Sequence, residues 1–401
     1  MNSGRYIFSQ VLDLVDRKTL SRLVERYDAG SRVRHFGCRQ QFSCLAFAQR
    51  TWRSPRGVGL VTPQGEGRRD MATCLNAKAE ALYHLGFREP VAKSTLADAN
   101  EQRDWRLWED LAKNLRRKAR PLSAGEDLGL ELENPVYALD STTIDLSLTR
   151  FPWADFRRTK AGIKRHTQVD LRGPIPTCIY IPNARPHDVR WLDELIFEPG
   201  ACYVLDRGSM DFKRRNGIAG AGAFFVTRAK DNRRFSRQRS LPTDFPAGVR
   251  SDPMGKPTLA KARAAFPARL RKGRYFDAET ERDLVFLTNP LEIPALRVAL
   301  IYRLRWRSEL FFRWIQGHLR IKHYYGTSPN AVKTQIWIAI AVYLRVAILH
   351  KPLSLPGTLH RTLQLLSVHP FEKAPLHELF TETEFKIPPA INSNQLLLFD
   401  L

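Results

Sequence analysis

The sequence predicts an α/β protein in which a helical N-terminal domain precedes a mixed sheet flanked by helices, with a basic loop-and-strand insertion. Three observations predict it. Apolar residues recur with helical spacing through roughly the first 120 residues. From Val136 the apolar runs shorten to strand length and fall in the order strand, strand, strand, helix, strand, helix, strand, which is the order of a mixed sheet covered by helices. A Pro-punctuated, strongly basic stretch then precedes a long apolar helix.

In chain order, Phe8, Val11, Leu12 and Val15 set the first helical period, followed by Phe42, Leu45 and Ala46, then Leu75 and Leu82. Pro55, Gly57, Gly59, Pro63, Gly65 and Gly67 make residues 53–69 a loop. Gly86 caps a helix that starts near Met71, and Ser94-Thr95 opens the next. Trp105, Trp108, Leu111 and Leu115 carry another helix, ending in Arg116-Arg117-Lys118. These short helices suit a DNA-binding module and suit equally a bundle used for packing or dimerisation.

The predicted strands are Val136–Leu139, His166–Leu171, Ile175–Ile181, Ala201–Leu205 and Ala223–Thr227, with Gly173-Pro174 as a hairpin-like turn and a helix near Asp188–Ile196. Between Arg228 and Tyr275 stand 14 Lys/Arg and 3 Asp, 14 − 3 = +11, with five prolines from Pro242 to Pro267. A strand follows at Arg282–Thr288, then a helix over about 295–319 and another around Ile336–Leu349. Domains are expected at 1–125 (helical, DNA-binding), 130–228 with 291–350 (catalytic), 229–290 (insertion) and 351–401 (C-terminal region).

With 401 residues, 43% hydrophobic and 26% charged, the chain is long and apolar enough for a buried core, which excludes a disordered or fibrous protein. Its net charge is +23, from 64 Lys+Arg against 41 Asp+Glu. So basic a globular protein points to a polyanionic partner, nucleic acid first. Five cysteines without CxxC spacing argue against a disulfide framework or a zinc ribbon. The longest purely apolar run, Ile336–Leu344, falls short of the roughly 20 residues that span a bilayer. A cytoplasmic protein with no membrane partner is expected.

Two carboxylates follow apolar strands: Asp140 after Tyr-Ala-Leu and Asp206 after Tyr-Val-Leu. Ligands gather at strand ends in sheets flanked by helices; taken singly, each reads as well as a turn residue. Tyr302, Arg305, Glu309 and Gln316 are spaced by 3, 4 and 7 residues, which puts them on one face of a helix. A buried Arg305–Glu309 pair would also explain that spacing. Three carboxylates brought together can hold two divalent metals for in-line displacement at phosphorus. Two Mg²⁺ ions, with Mn²⁺ as substitute, suit such oxygen ligands, and the basic surface would hold the phosphodiester backbone. Trp306 and Trp314 read as core residues.

The runs Tyr137-Ala-Leu-Asp140-Ser-Thr-Thr-Ile-Asp-Leu and Tyr203-Val-Leu-Asp206-Arg-Gly, with Tyr302-x-x-Arg305-x-x-x-Glu309, resemble bacterial insertion-sequence transposases. The group is the DDE type whose signature is Y-x2-R-x3-E-x6-K, and the similarity reaches from Phe8-Ser-Gln to the tail. The resemblance implies a ribonuclease-H-like catalytic domain interrupted by a β-rich insertion. It implies that Asp140, Asp206 and Glu309 form the metal-binding catalytic triad and that Tyr302 and Arg305 contact the transposon end. It further implies cut-and-paste movement, by 3′-end nicking and then strand transfer, of double-stranded DNA bearing terminal inverted repeats into target DNA, by a homodimer on DNA.

The sequence departs from that pattern in three places. Gln316 stands where the signature has Lys, three glycines fall within 213–222, and the loop at 53–69 is long. Each glycine costs about 1 kcal/mol in a helix interior, and Gln hydrogen-bonds phosphate without charge. The alternatives are a catalytically decayed copy that only binds DNA, or a ribonuclease-H-fold nuclease. Gln395-Leu-Leu-Leu-Phe399 resembles the peptide by which bacterial proteins bind the replication sliding clamp, and reads also as a tail folded onto its own domain.

Overall fold

A computed structural model describes residues 4–381 apart from 14–15, 32, 34, 52–67, 78, 124, 127, 131, 133, 148, 158–159, 182–192, 194, 207–210, 230–234, 290–291, 310, 312–323, 354 and 356–358. The expected loop core at 53–67, most of the helix near 188–196, Trp314, Gln316 and Gln395–Phe399 lie outside the described residues.

The N-terminal third is helical: α1 (Ile7–Leu12), α2 (Arg17–Arg26), α3 (Cys38–Thr51), α4 (Arg68–Asn76), α5 (Ala79–His84), α6 (Lys93–Gln102) and α7 (Arg106–Ser123). Local chemistry sets several ends. Asp16 caps α2 by accepting from the Lys18 N–H at 3.1 Å. The helix expected from Met71 to Gly86 is two, α4 and α5. Gly86 closes the second at φ +87°, with the Phe87 N–H returning to the Leu82 carbonyl at 3.0 Å. Trp108, fully buried, stacks on Phe42 at 5.9 Å and ties α7 to α3.

The sheet contains β1 (Val136–Leu146), β2 (Asp155–Arg157), β3 (Lys160–Asp170), β4 (Ile175–Tyr180), β5 (Cys202–Leu205), β6 (Phe224–Arg228), β7 (Phe235–Ser240), β8 (Val249–Ser251), β9 (Pro253–Pro257), β10 (Leu270–Asp277) and β11 (Arg282–Thr288). Its order is β2-β3-β1-β5-β6-β11-β10-β9-β7, with β4 on β3 and β8 on β10. β1, β3 and β4 are antiparallel neighbours, and β5 and β6 run parallel to β1. The basic segment adds β7 to β11, and β11 pairs antiparallel with β6, so those strands extend the same sheet. Exposed Arg237 and Arg239 line its edge strand, β7, and charge on an edge discourages further pairing.

Apolar alternation builds a layer on each face. Val136, Ala138, Val204 and Val226 join the larger core with the N-terminal helices, α10 (Ala295–Arg303) and α11 (Pro329–His350). Tyr137, Leu139, Tyr203, Leu205 and Phe225 face the smaller core. Ile218 of α8 (Phe212–Gly220) and Phe266, just beyond α9 (Ala260–Ala265), close that side. The glycine-bearing 213–222 stretch does form a helix. Asp211 caps it, accepting from the Arg214 N–H at 2.9 Å, and Gly222 terminates it at φ +71°.

α11 begins seven residues before the expected Ile336, because Ser328 caps it and Pro329 fits its first turn. It is the one described helix long and apolar enough to cross a membrane, but 89% of its most apolar window is buried inside the protein. It packs on α7, α3 and α6, and its Tyr343 hydroxyl donates to the Pro174 carbonyl at 2.8 Å. Beyond it, α12 (Leu359–Val368) returns to α3 and contacts α13 (Glu378–Thr381). Gln10 Nε2 donates to the Ala374 carbonyl at 2.7 Å, joining the two ends of the described chain.

Candidate active site at the ends of the parallel strands

Leu139 of β1 lies opposite Leu205 of β5, so the next residues along the two parallel strands are Asp140 and Asp206. Side chains alternate along a strand. Asp140 shares the face of Val136 and Ala138, and Asp206 that of Cys202 and Val204, which is the α10 and α11 side for both. Asp140 is half-buried and Asp206 exposed.

The expectation that Asp140 ends its strand needs correction. β1 continues to Leu146, paired with β3 as far as Leu146↔Ala161, and its buried, β-branched Ile144 suits the pleat. Only the parallel pairing with β5 stops at Leu139. Asp140 is therefore held in the backbone of a long strand, which excludes the turn reading.

The third carboxylate arrives on a helix. α10 starts after Pro294, and at Leu304 its hydrogen bonds tighten: the Leu304 N–H reaches Ile301 O at 3.2 Å and Leu300 O at 3.3 Å. The Arg307 N–H then bonds Leu304 O at 2.9 Å, and residues 305–309 are again helical. The expected continuous helix over 295–319 is thus interrupted at Leu304, and 312–319 lie outside the described residues.

The predicted face survives that break. The Arg305 guanidinium lies over the Tyr302 ring at 5.6 Å and donates through Nη2 to Glu309 Oε1 at 2.5 Å. Tyr302 packs on Phe286 of β11 at 5.1 Å, so the inserted strands support the helix from below. Arg307 Nη1 donates to the Leu171 carbonyl at 3.1 Å and pins the same helix to the end of β3. Trp306, expected in the core, is 51% exposed.

Electrostatics tie this helix to the strand ends. Burial raises the Tyr302 phenol, the Arg305 guanidinium opposes the rise and the Asp206 carboxylate adds to it. Burial works against the charge on Arg305, yet Tyr302, Glu309 and Asp206 together hold its pKa above the ordinary value. Beneath Asp140 lies Arg165, fully buried on β3. Asp140 pairs with Thr167 across the ladder, so Arg165 is its diagonal neighbour on the same face. Burial drives the Arg165 guanidinium down to about 10, with Tyr324 and Asp140 opposing.

Arg165 and Arg228 were not expected from the sequence. Arg228 follows Thr227, the residue opposite Leu205, and shares the face of Val226, so it joins the two aspartates at the strand ends. Its signal was present: a charged residue directly after an apolar strand, as at Asp140 and Asp206. Arg165 sits mid-strand and gives none. A cleft of about 890 Å³ lies elsewhere, in the helical domain among Tyr27, His35, Phe36, Phe87 and Arg103. It shares no residue with this site.

Three carboxylates are hard oxygen donors of the kind that magnesium prefers, and two of them leave adjacent strands on one face. Among the described residues, however, no three of His, Cys, Asp and Glu are close enough together to hold a metal ion. The Glu309 carboxylate is engaged by Arg305. The donor chemistry fits a divalent cation, provided Glu309 exchanges partners.

Residues 131–345, which contain all of these groups except the helical domain, match a family described as "Transposase DDE domain". A second family, described as a domain of unknown function (DUF4372), matches residues 3–55. A protein named as a transposase, y4zB of Sinorhizobium fredii, is 33% identical over 214 residues, 52% of this chain and 60% of that protein. The transposase named for insertion sequence element IS5377 of Geobacillus stearothermophilus is 28% identical over 217 residues, 54% of this chain and 56% of that protein. One named for IS4SA of Synechocystis sp. is 24% identical over 331 residues, 79% and 86%. The chain thus spans less than two thirds of the length of the first two relatives. With a family match over more than half of its length, the chain belongs to the DDE-domain transposases.

Proposed function

We propose that this protein is a DNA transposase that moves an insertion sequence by cut-and-paste phosphoryl transfer, with Asp140, Asp206 and Glu309 as the metal-binding carboxylates. The observation that carries the reading is the Leu139↔Leu205 register, which sends two aspartates off adjacent strands toward the helix bearing Glu309. The strand order β4-β3-β1-β5-β6, an antiparallel trio followed by two strands parallel to its central member, supports a ribonuclease-H-like catalytic domain.

The chemistry that two Mg²⁺ ions supply when bound is activation of the attacking oxygen and stabilisation of the leaving one. The chain's residues do the rest. Asp140 and Asp206 are ligands fixed by the sheet. Arg305, held above Tyr302, presents a planar donor fork to a phosphate of the transposon end. Arg228 adds positive charge at the same strand ends, and Arg237, Arg239 and Arg250, exposed on the inserted strands, supply sequence-independent attraction to the backbone.

Several expectations remain part of the proposal. The helical domain over 1–125 binds the terminal inverted repeats, residues 229–290 are the insertion within a catalytic domain of 130–228 and 291–350, and a homodimer holds both ends in the bacterial cytoplasm. The tail at Gln395–Phe399 docks on the sliding clamp; appended to an unrelated protein it should pull the clamp down, and no capture would remove that part.

The test is cleavage of labelled duplexes spanning the ends of the element, with Mg²⁺ present, by this protein and by Glu309→Gln. Cleavage at the element's end that disappears in the variant supports the triad and the reaction class together. Specific binding without cleavage points instead to a decayed copy.

A further inference from the structure

We propose that Arg305 is a gate on Glu309: while its guanidinium holds the Glu309 carboxylate the metal site lacks its third ligand, and an anionic phosphate that takes Arg305 releases Glu309 to complete it. The proposal rests on the reading of Asp140, Asp206 and Glu309 as metal ligands.

The contacts of Glu309 carry the argument. Its Oε1 accepts from Arg305 Nη2 at 2.5 Å, a charge-assisted bond that competes directly with metal ligation by the same oxygen. The same arginine lies across the Tyr302 ring, at the strand-end face to which Asp206 belongs. The Asp206 and Glu309 carboxylates both favour the charge on Arg305, so a single guanidinium answers to carboxylates from strand and helix.

The two arginines beside the proposed ligands differ in freedom. Arg165, diagonal to Asp140, is fully buried within the sheet's packing and has nowhere to go. Arg305 and Glu309 side chains are 20% and 32% exposed, so their pair opens to solvent. An ion pair that solvent reaches is weakened, and a phosphodiester accepts both arms of a guanidinium fork. In the exchange no covalent bond is made or broken. The Arg–carboxylate pair is replaced by an Arg–phosphate pair and a carboxylate–metal contact, so charge stays balanced. Metal and DNA backbone then bind with positive coupling, and the coupling is reciprocal.

The test measures Mn²⁺ binding to the full chain directly, from the electron paramagnetic resonance signal of the free ion, in four proteins: wild type, Arg305→Gln, Glu309→Gln and the double variant. The gate predicts that Arg305→Gln binds Mn²⁺ about 3- to 5-fold tighter than wild type, the worth of a partly exposed pair. In the Glu309→Gln background the same substitution should give no gain. Equal gains in both backgrounds mean that Arg305 acts only through its charge, and overturn the gate; so does no gain in either. Should Arg305→Gln fail to fold, Arg305→Lys keeps the charge, loses the fork and should give a smaller gain, again only when Glu309 is present. Asp140→Asn separates the two levels of the account. If it leaves Mn²⁺ binding unchanged, the metal-ligand reading itself fails and the gate falls with it. If it abolishes binding while Arg305→Gln brings no gain, only the gate fails.

Discussion

Leu139 and Leu205 face each other across the parallel ladder between β1 and β5, and through that pairing Asp140 and Asp206 leave the sheet on one face. The register places both carboxylates through the backbone ladder. Substituting either Asp by Asn should leave the fold and DNA binding intact. Metal-dependent cleavage should fall by about 10³-fold or more, roughly 4 kcal/mol in the barrier. Single-turnover cleavage beside a binding titration checks this.

A buried ion pair couples the inserted strands to the helix that carries Tyr302. Arg271 of β10 pairs with Asp252 through Nε at 2.6 Å and also bonds the Ile293 carbonyl, just ahead of α10. Both side chains are almost wholly buried, at 4% and 0% exposure. Asp252→Ala should cost about 3–5 kcal/mol because it strands a buried guanidinium. The Arg271→Ala, Asp252→Ala double variant should cost less than the sum of the singles. Denaturant unfolding of the three variants measures it.

The glycines of α8 should divide by position. Gly222 sits at φ +71°, where an L side chain is strained, so Gly222→Ala should destabilise by about 1 kcal/mol. Gly217, inside the helix, has open space where a Cβ would stand, so Gly217→Ala should stabilise by about 0.5–1 kcal/mol. Opposite shifts in melting temperature are the expected result.

A pH-dependent contact ties the helical domain to the sheet. The Tyr137 hydroxyl donates to Glu198 Oε2 at 2.6 Å and holds that carboxyl below its ordinary value; partial burial opposes this and Arg120, on α7, adds to it. A carboxyl depressed in the folded state contributes stability that is present above its unfolded pKa and is lost as pH falls through the folded one. Glu198→Gln should therefore cost about 1 kcal/mol at pH 7, half exposed as Glu198 is. The two proteins should converge as the pH falls below 4.5. Thermal melts across pH test the sign.

Much of this was legible in the sequence, and the reasons are specific. The strand at Arg282–Thr288 and the pair at Ile175 and Ala201 stood out because short apolar runs between turn residues have few other readings. The Tyr302, Arg305, Glu309 face was legible because helical spacing is arithmetic, and the contacts at 5.6 Å and 2.5 Å carry it across the break at Leu304. What could not be read was tertiary. Nothing local says that β1 runs on past Asp140, since its partner residues 161–167 lie about twenty positions away. Nor does spacing say that Arg165 lies beneath Asp140, or that Trp306 faces solvent in an otherwise apolar helix.

The central claim is that Asp140, Asp206 and Glu309 share one metal site, and iron-directed cleavage of the polypeptide tests it most directly. Fe²⁺ takes the place of Mg²⁺, and the radicals formed with peroxide and ascorbate cut the backbone beside the ion. The account predicts cuts near residues 140, 206 and 309 that rise and fall together and are competed by Mg²⁺. Cuts that cluster elsewhere, or near the aspartates but never near Glu309 even with Arg305 replaced by Gln, would contradict it.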